Sequence, residues 1–476
     1  MTQPFPADAF RALLGEAGVL IDPQLVARYE VDQRDLIRGV TPAILRPRTT
    51  QEVQAIVRLA VDHGFGLVPQ GGNTSYVGGA TPDRSGLQLI VSLERMARIR
   101  AVDPLGFTLA ADAGAILADA QAAADAAGLF LPLALGSQGS CRLGGNLGTN
   151  AGGLNVLRFG MMRDLVLGIE AVLPDGQVLS DMRTLRKHNV GYDLKQLFIG
   201  GEGTLGIVTG VVLKLMPRPV AHATCWVQIA DPAVLPAMLA LVRRESADLV
   251  SSFEFITRTS LDLVAALGQG APNLPIGAGG AVIIEMSSAS HRIPLADMMT
   301  AILEEMMEAG LLEDAVIAQS DRQRAEMWRV RESIPEGEKH AGGSVKLDIS
   351  VPVSRLGDFL VQGGAAVARH DPALVLSVYG HVGDGNIHYN ILVPQGADRR
   401  AFTDAVGDGL AHDLYAIALD LGGSFSAEYG IGRLKRDLLA RYADPVRRGL
   451  MAKVKAAFDP HDVMNAGAMI APAREA

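Results

Sequence analysis

The chain has 476 residues, 49% hydrophobic and 20% charged, too long for one ordinary core and too apolar for a disordered polymer, so two or three domains are predicted. It carries 43 Lys and Arg against 52 Asp and Glu, a formal net charge of −9, which argues against nucleic acid as the main partner. Its two cysteines, Cys141 and Cys225, speak against a disulfide framework or a cysteine-built metal site, and a reducing cytoplasm is the expected location.

Met1–Asp8 has no basic stretch followed by a long apolar core, so no signal peptide is expected, and no uninterrupted apolar run reaches the roughly 18 residues of a membrane span. Residues 7–40 read as a charged helical appendage. Val40–Pro47 reads as a strand ending at Pro47. The Thr49-Thr50-Gln51-Glu52 run then opens a helix: a threonine caps it, and Val53, Ile56 and Val57 recur at helical spacing. Gly66–Pro69 is a short strand that runs into the first of three glycine-rich loops, 70–79; the others are 136–153 and 200–209. Glycine at such density lets backbone amides approach a ligand closely.

Gly201-Glu-Gly-Thr-Leu-Gly206 fits G-x-G-x-x-G, but Ile207–Met216 has strand composition where a dinucleotide fingerprint needs a helix, and no acidic residue stands about 20 positions on. A Rossmann reading fails on both counts. Pro217-Arg-Pro219 looks like a boundary. Beyond it strands (Thr224–Ile229, Ala281–Glu285, Lys346–Pro352) alternate with helices (Pro232–Glu245, Pro294–Ala309, Leu356–Arg369, Phe402–Asp420), which reads as α+β with a separate sheet. The pairs Met298-Met299 and Met306-Met307 are expected to fill core.

The densest chemistry lies in Tyr379-Gly-His-Val-Gly-Asp-Gly-Asn-Ile-His-Tyr-Asn390. Apolar runs flank a Gly-Asp-Gly turn, so a strand–turn–strand hairpin is predicted. Such a hairpin folds His381 and His388 toward one point, and neutral imidazoles are common metal ligands. The residues alone allow a polar hairpin with two satisfied histidines equally well.

Residues 41–470 resemble the FAD-dependent D-2-hydroxyacid dehydrogenases of the vanillyl-alcohol oxidase / p-cresol methylhydroxylase (PCMH) flavoprotein superfamily. Closest in pattern are the D-2-hydroxyglutarate and D-lactate dehydrogenases and the glycolate oxidase FAD subunit. The resemblance rests on Pro69–Ser75, Gly144–Gly153, Gly191–Gly200 with Glu202–Ile207, the His381 stretch, Ser426-Ala-Glu428 and Met464-Asn465. It implies an α+β fold: a two-lobed PCMH-type FAD-binding domain (41–218) after the N-terminal appendage (1–40), then an α+β cap with a ferredoxin-like antiparallel sheet (219–425), and a segment returning to the FAD domain (426–476). The cofactor would be held by Pro69, Gly71, Gly72, Asn73, Thr74 and Ser75 in the first loop. Gly136, Ser137, Gly139, Gly144, Gly145, Asn146, Thr149, Asn150, Gly152 and Gly153 would follow in the second, and Glu202, Gly203, Gly206, Ile207 and Asn465 beyond it. The first loop has no histidine, the residue that carries covalent flavin in some relatives, so non-covalent FAD is expected.

The same resemblance implies a divalent metal, zinc first, on His381, His388 and Glu428, which also makes the two histidines catalytic residues. It would bind the substrate hydroxyl and carboxylate and ease loss of the hydroxyl proton while the α-hydrogen passes as hydride to flavin N5. Arg331, Lys346, Asn390 and Tyr429 would contact substrate. Two cations suit a dicarboxylate, so D-2-hydroxyglutarate stands first, D-lactate, glycolate or a bulkier hydroxyacid next. An ion pair of Arg331 with Glu332 or Glu336, and of Lys346 with Asp348, are the plain alternatives. Family members usually read Glu-His-Gly-Ile-Gly, with the histidine as proton acceptor; here Tyr429 follows Glu428. The phenol is then a base, a hydrogen-bond partner or a narrowing of the pocket. An electron-transfer flavoprotein, a quinone or a cytochrome would accept the electrons, and a homodimer is a further expectation. A non-catalytic electron-transfer subunit is the alternative from another class.

Overall fold

The computed structural model describes residues 4–268 and 274–471. Its contacts divide the chain into two units. The first gathers the chain up to Gly153, Met161–Arg218 and the chain from Glu428 onward; the second holds Leu154–Gly160 and Pro219–Ala427.

The first unit has two lobes. In one, β1 (Val19–Leu20), β2 (Ile44–Leu45), β3 (Gly66–Gln70) and β4 (Gln88–Ser92) form a sheet ordered β1-β2-β4-β3, with β4 parallel to both β2 and β3. The helix Thr50–Asp62 supplies the crossover. Thr49 caps it by accepting from Glu52 N at 3.1 Å, while the Glu52 carboxylate accepts from Arg48 N at 2.6 Å. Val53, Ile56, Val57 and Ala60, one apolar face, are fully buried. In the other lobe, β5 (Ile99–Asp103), β6 (Thr108–Asp112), β8 (Val166–Val172), β9 (Val178–Asp181) and β10 (Ile207–Lys214) form an antiparallel sheet ordered β5-β6-β10-β8-β9. Short strands β7 (Leu129–Phe130) and β11 (Met216–Pro217) pair beside it. The C-terminal stretch returns to β3: Leu67 N donates to Val463 O and Asn465 N to Leu67 O, both at 2.7 Å.

The second unit is built on one antiparallel sheet of eight strands. These are β12 (Ala221–Ile229), β13 (Val250–Ile256), β14 (Gly280–Ser288), β15 (Asp314–Ile317), β16 (Ser344–Val345), β17 (Asp348–Ser350), β18 (Leu376–His381) and β19 (Asn386–Leu392), ordered β15-β12-β14-β13-β18-β19-β16, with β17 also on β19.

Three local expectations change. Residues 7–40 are helical only at Ala7–Leu14 and Pro23–Val26, with a short 3-10 turn at Glu16–Gly18, and β1 joins the first sheet. The 346–352 strand is broken: pairing stops after Val345 and resumes at Asp348. Of the methionine pairs, Met299 and Met306 are fully buried whereas Met307 is half exposed; neighbours on a helix point about 100° apart, so one face takes one of each pair.

Candidate active site

The hairpin of β18 and β19 is the scaffold of the histidine pair. Tyr379 lies opposite His388 and His381 opposite Asn386. His381 therefore shares a sheet face with Tyr379, two residues away, and sits diagonal to His388. The imidazole centroids are 5.5 Å apart, and both side chains are buried. The turn is a short 3-10 segment, Val382–Asp384, closed by Gly385 at φ 74. Only glycine fits there, since a Cβ would stand 2.0 Å from Val351 O.

Glu428 arrives by a separate route. β17 pairs with β19, Asp348 opposite His388. On its other side Ala427 N donates to Asp348 O and Ser350 bridges Ser424. Glu428 is the next residue along the chain. Among the described residues, His381, His388 and Glu428 are potential metal donors, the two histidines in the second unit and the glutamate in the first. Burial first, then the charges of His381, Arg331 and Lys346, hold His388 well below the usual histidine value. The neutral imidazole that results is the form that ligates metal, so this donor set fits a divalent cation.

Two buried carboxylates that the sequence reading did not single out surround the pair. Glu254, on β13, accepts from Arg331 at 2.8 and 2.9 Å with one oxygen and lies 2.7 Å from His381 Nδ1 with the other. Glu338 accepts from Lys346 Nζ at 2.7 Å, Ser344 Oγ at 2.8 Å and Asn390 Nδ2 at 2.8 Å. Three residues expected at the substrate, Arg331, Lys346 and Asn390, are thus each held by a resident carboxylate. The Arg331 guanidinium also lies 4.6 Å from the Tyr379 ring centroid. The one available signal was a single acidic residue between Phe253 and Phe255 in an otherwise uncharged strand.

Within the first unit a cavity of about 510 Å³ is lined by the three glycine loops. Of the residues expected there, Pro69, Gly71–Ser75, Gly136, Ser137, Gly144–Asn146, Thr149, Gly152, Glu202, Gly203 and Gly206 line it, as do Glu428 and Tyr429. Gly139, Asn150, Gly153, Ile207 and Asn465 are not on its wall. Ile207 is in the core; Asn150 Oδ1 accepts from Arg163 N; a Cβ on Gly153 would meet Ala134 O at 2.0 Å. Asn465 instead ties the wall together, donating to Gly79 O and Glu202 O at 2.7 and 2.9 Å. Gly136 and Gly145 have no protein atom within 4 Å of a would-be Cβ, so the wall there is bare backbone facing open space, a fit for a phosphate-bearing cofactor.

The Glu202 side chain turns to the segment after Tyr429, accepting from Ile431 N and Gly432 N at 2.7 Å. Burial raises its pKa to about 7 against the pull of those two amides and of Lys435.

Residues 41–181 match the FAD binding domain and residues 219–469 the FAD linked oxidases, C-terminal domain. The chain is 35% identical over 456 residues to the mitochondrial D-2-hydroxyglutarate dehydrogenase of Arabidopsis thaliana, covering 96% of this chain and 80% of that protein. It is 33% identical over 472 residues to the D-2-hydroxyglutarate dehydrogenase of Stutzerimonas stutzeri, covering 99% and 100%. The chain belongs to the family of FAD-dependent D-2-hydroxyacid dehydrogenases. It is an FAD-binding oxidoreductase.

Its fold is that of p-cresol methylhydroxylase, with TM-score 0.76 at 16% identity over 98% of this chain and 96% of that one. Alkyldihydroxyacetonephosphate synthase follows at TM-score 0.73 and 18% identity, over 97% and 86%. The cytoplasmic location expected from cysteine usage is corrected: the rice, Arabidopsis, bovine and rat relatives are named as mitochondrial. Scarce, unpaired cysteines do not identify one particular reducing compartment. No helix among the described residues is long and apolar enough to cross a membrane.

Proposed function

We infer that this enzyme oxidises D-2-hydroxyglutarate to the 2-oxoacid, using non-covalent FAD and a divalent cation, zinc first, on His381, His388 and Glu428. The observation that carries the reading is the buried pair of imidazoles, 5.5 Å apart on one hairpin of the second unit; Glu428, on the wall of the glycine-loop cavity, is the carboxylate proposed to complete the donor set. FAD in that cavity supplies the hydride acceptor, and a cation on the three donors supplies Lewis-acid polarisation of the substrate hydroxyl.

The chain's own residues orient and desolvate. Buried His381 and His388 present imidazoles at fixed angles from paired strands. Arg331, Lys346 and Asn390 bring two positive charges and an amide to the same buried face of the second unit, and Glu254 and Glu338 keep those charges compensated. A five-carbon diacid offers a second carboxylate to such cations; lactate and glycolate do not. The relatives named as D-2-hydroxyglutarate dehydrogenases support the same substrate.

The test is turnover on a panel of 2-hydroxyacids with an artificial electron acceptor. D-2-Hydroxyglutarate is expected to give the highest kcat/KM, the L-enantiomer none. A monocarboxylate preferred over the diacid would overturn the substrate, and inactivity with every 2-hydroxyacid would return the chain to the electron-transfer-subunit reading.

A further inference from the structure

In the second unit, Glu254 stands at the centre of a closed arrangement. It is 1% exposed and lies on β13, whose partner strand β18 places His381 directly opposite it. One carboxylate oxygen is 2.7 Å from His381 Nδ1; the other takes both Nε and Nη2 of Arg331 at 2.9 and 2.8 Å. The Arg331 guanidinium lies over Tyr379, and the Tyr379 ring is 4.9 Å from that of His388. A single carboxylate thus reaches one imidazole directly and the other through a cation and an aromatic ring.

The contact at Nδ1 fixes the ring. With Nδ1 turned to an anion, the proton sits on Nδ1 and Nε2 is the nitrogen with a lone pair to offer. An imidazole so held is a stronger and better aimed ligand than one left to rotate. The Arg331 contact accounts for the carboxylate staying ionised at 1% exposure, because a buried anion without a cation is costly. Neither group would hold its state without the other.

We propose that Glu254 is a positioning residue that sets the Nε2-donor form of His381 for the cation and, through Arg331, ties the cation site to the site of the substrate's distal carboxylate. This rests on the metal reading given above, and the experiment separates the two.

Zinc affinity of the substrate-free, oxidised holoenzyme is measured by chelator competition at fixed pH, for wild type, E254Q, the double variant E254Q/R331M, and H381A/H388A as the blank. The double variant removes both buried charges together, so it keeps a folded reference should E254Q alone strand Arg331 and unfold. Circular dichroism and flavin content report on fold. Zinc affinity is expected to fall about 10- to 100-fold in folded Glu254 variants, with flavin content unchanged. R331M alone leaves the Glu254 carboxylate without its cation; zinc affinity is expected to fall in it as well, and KM for D-2-hydroxyglutarate to rise far more than kcat falls. Wild-type zinc affinity in the folded double variant overturns the role of Glu254. Zinc binding by wild type no tighter than by H381A/H388A overturns the metal reading, and this proposal with it.

Discussion

Tyr429 packs edge-on against Tyr76, ring centroids 4.9 Å apart, with the Lys435 ammonium 5.6 Å from the centre of the Tyr429 ring. It follows Glu428 directly, and on the function proposed above its chemistry bears on how a substrate proton leaves. The family resemblance leads one to expect an imidazole there, a group that titrates near pH 6.5 when unperturbed. In Tyr429→His, kcat/KM for D-2-hydroxyglutarate is expected to acquire an acid limb with a midpoint of about 6.5, absent from wild type. Superimposable pH profiles would show that position 429 takes no part in proton removal. That a tyrosine stands here was plain in the sequence; that it rests on Tyr76 and Lys435 was not, because those residues lie 353 positions before it and six after, brought together only by the closing of the first unit. The same holds for Glu254, which is 127 residues from His381 along the chain.

At the scale of elements, two glycines of opposite role make a paired test. Gly145 lies in the helix Leu143–Gly148 at the cavity wall, with open space where a Cβ would be. Gly145→Ala is expected to fold and even gain about 1 kcal/mol of helix stability. The added methyl intrudes on the cofactor, and FAD affinity is expected to drop by about tenfold or more, roughly 1.4 kcal/mol, in a flavin titration. Gly385 closes the histidine hairpin at φ 74 against Val351 O. Gly385→Ala is expected to cost about 1–3 kcal/mol from backbone strain alone, read as a lower melting temperature, with zinc lost and FAD retained.

Both glycines were visible as members of rich loops, and the hairpin itself was legible because apolar runs bracket a Gly-Asp-Gly turn. The α+β class was legible for the same reason, through period-2 and period-3.6 patterns. The break between Val345 and Asp348, and the split of the 402–420 segment into helices Arg399–Asp408 and Leu410–Asp420, were not. Sheet pairing decides the first. At the second, Gly409 adopts φ −131, ψ −87, outside the helical region, which no hydrophobic period marks.

At the scale of the molecule, acid stability turns on two carboxylates of opposite kind, Glu285 buried and Glu202 partly so. In the second unit Glu285 takes bonds from Arg324 Nε and Nη2 at 2.7 and 2.8 Å, Trp328 Nε1 at 2.7 Å and Thr224 Oγ1 at 2.8 Å. Burial opposes its ionisation, but these donors and His222 outweigh it and hold the pKa at about 2. A depressed carboxyl stabilises the fold above its unfolded value and gives that stability up as pH falls; the contribution, on the order of 3 kcal/mol, is expected to vanish between about pH 4.5 and pH 2. Glu285→Gln should therefore unfold more readily at pH 7 and show a shallower acid transition. An equal loss at every pH would point to packing instead of charge. Glu202 in the first unit works the other way. Its pKa of about 7 means that ionisation costs stability as pH rises from about 4.5 to 7, so Glu202→Gln should flatten the thermal-stability profile over that window.

The claim on which the rest depends is that flavin reduction by a 2-hydroxyacid requires a cation on His381, His388 and Glu428. Anaerobic bleaching of the FAD absorbance by D-2-hydroxyglutarate, before and after chelator treatment and after zinc is restored, tests it most directly. The account predicts bleaching in the zinc-loaded enzyme, its loss after chelation with FAD still bound, and its return on adding zinc. Bleaching of the same rate and extent in the chelated, metal-free enzyme would contradict it.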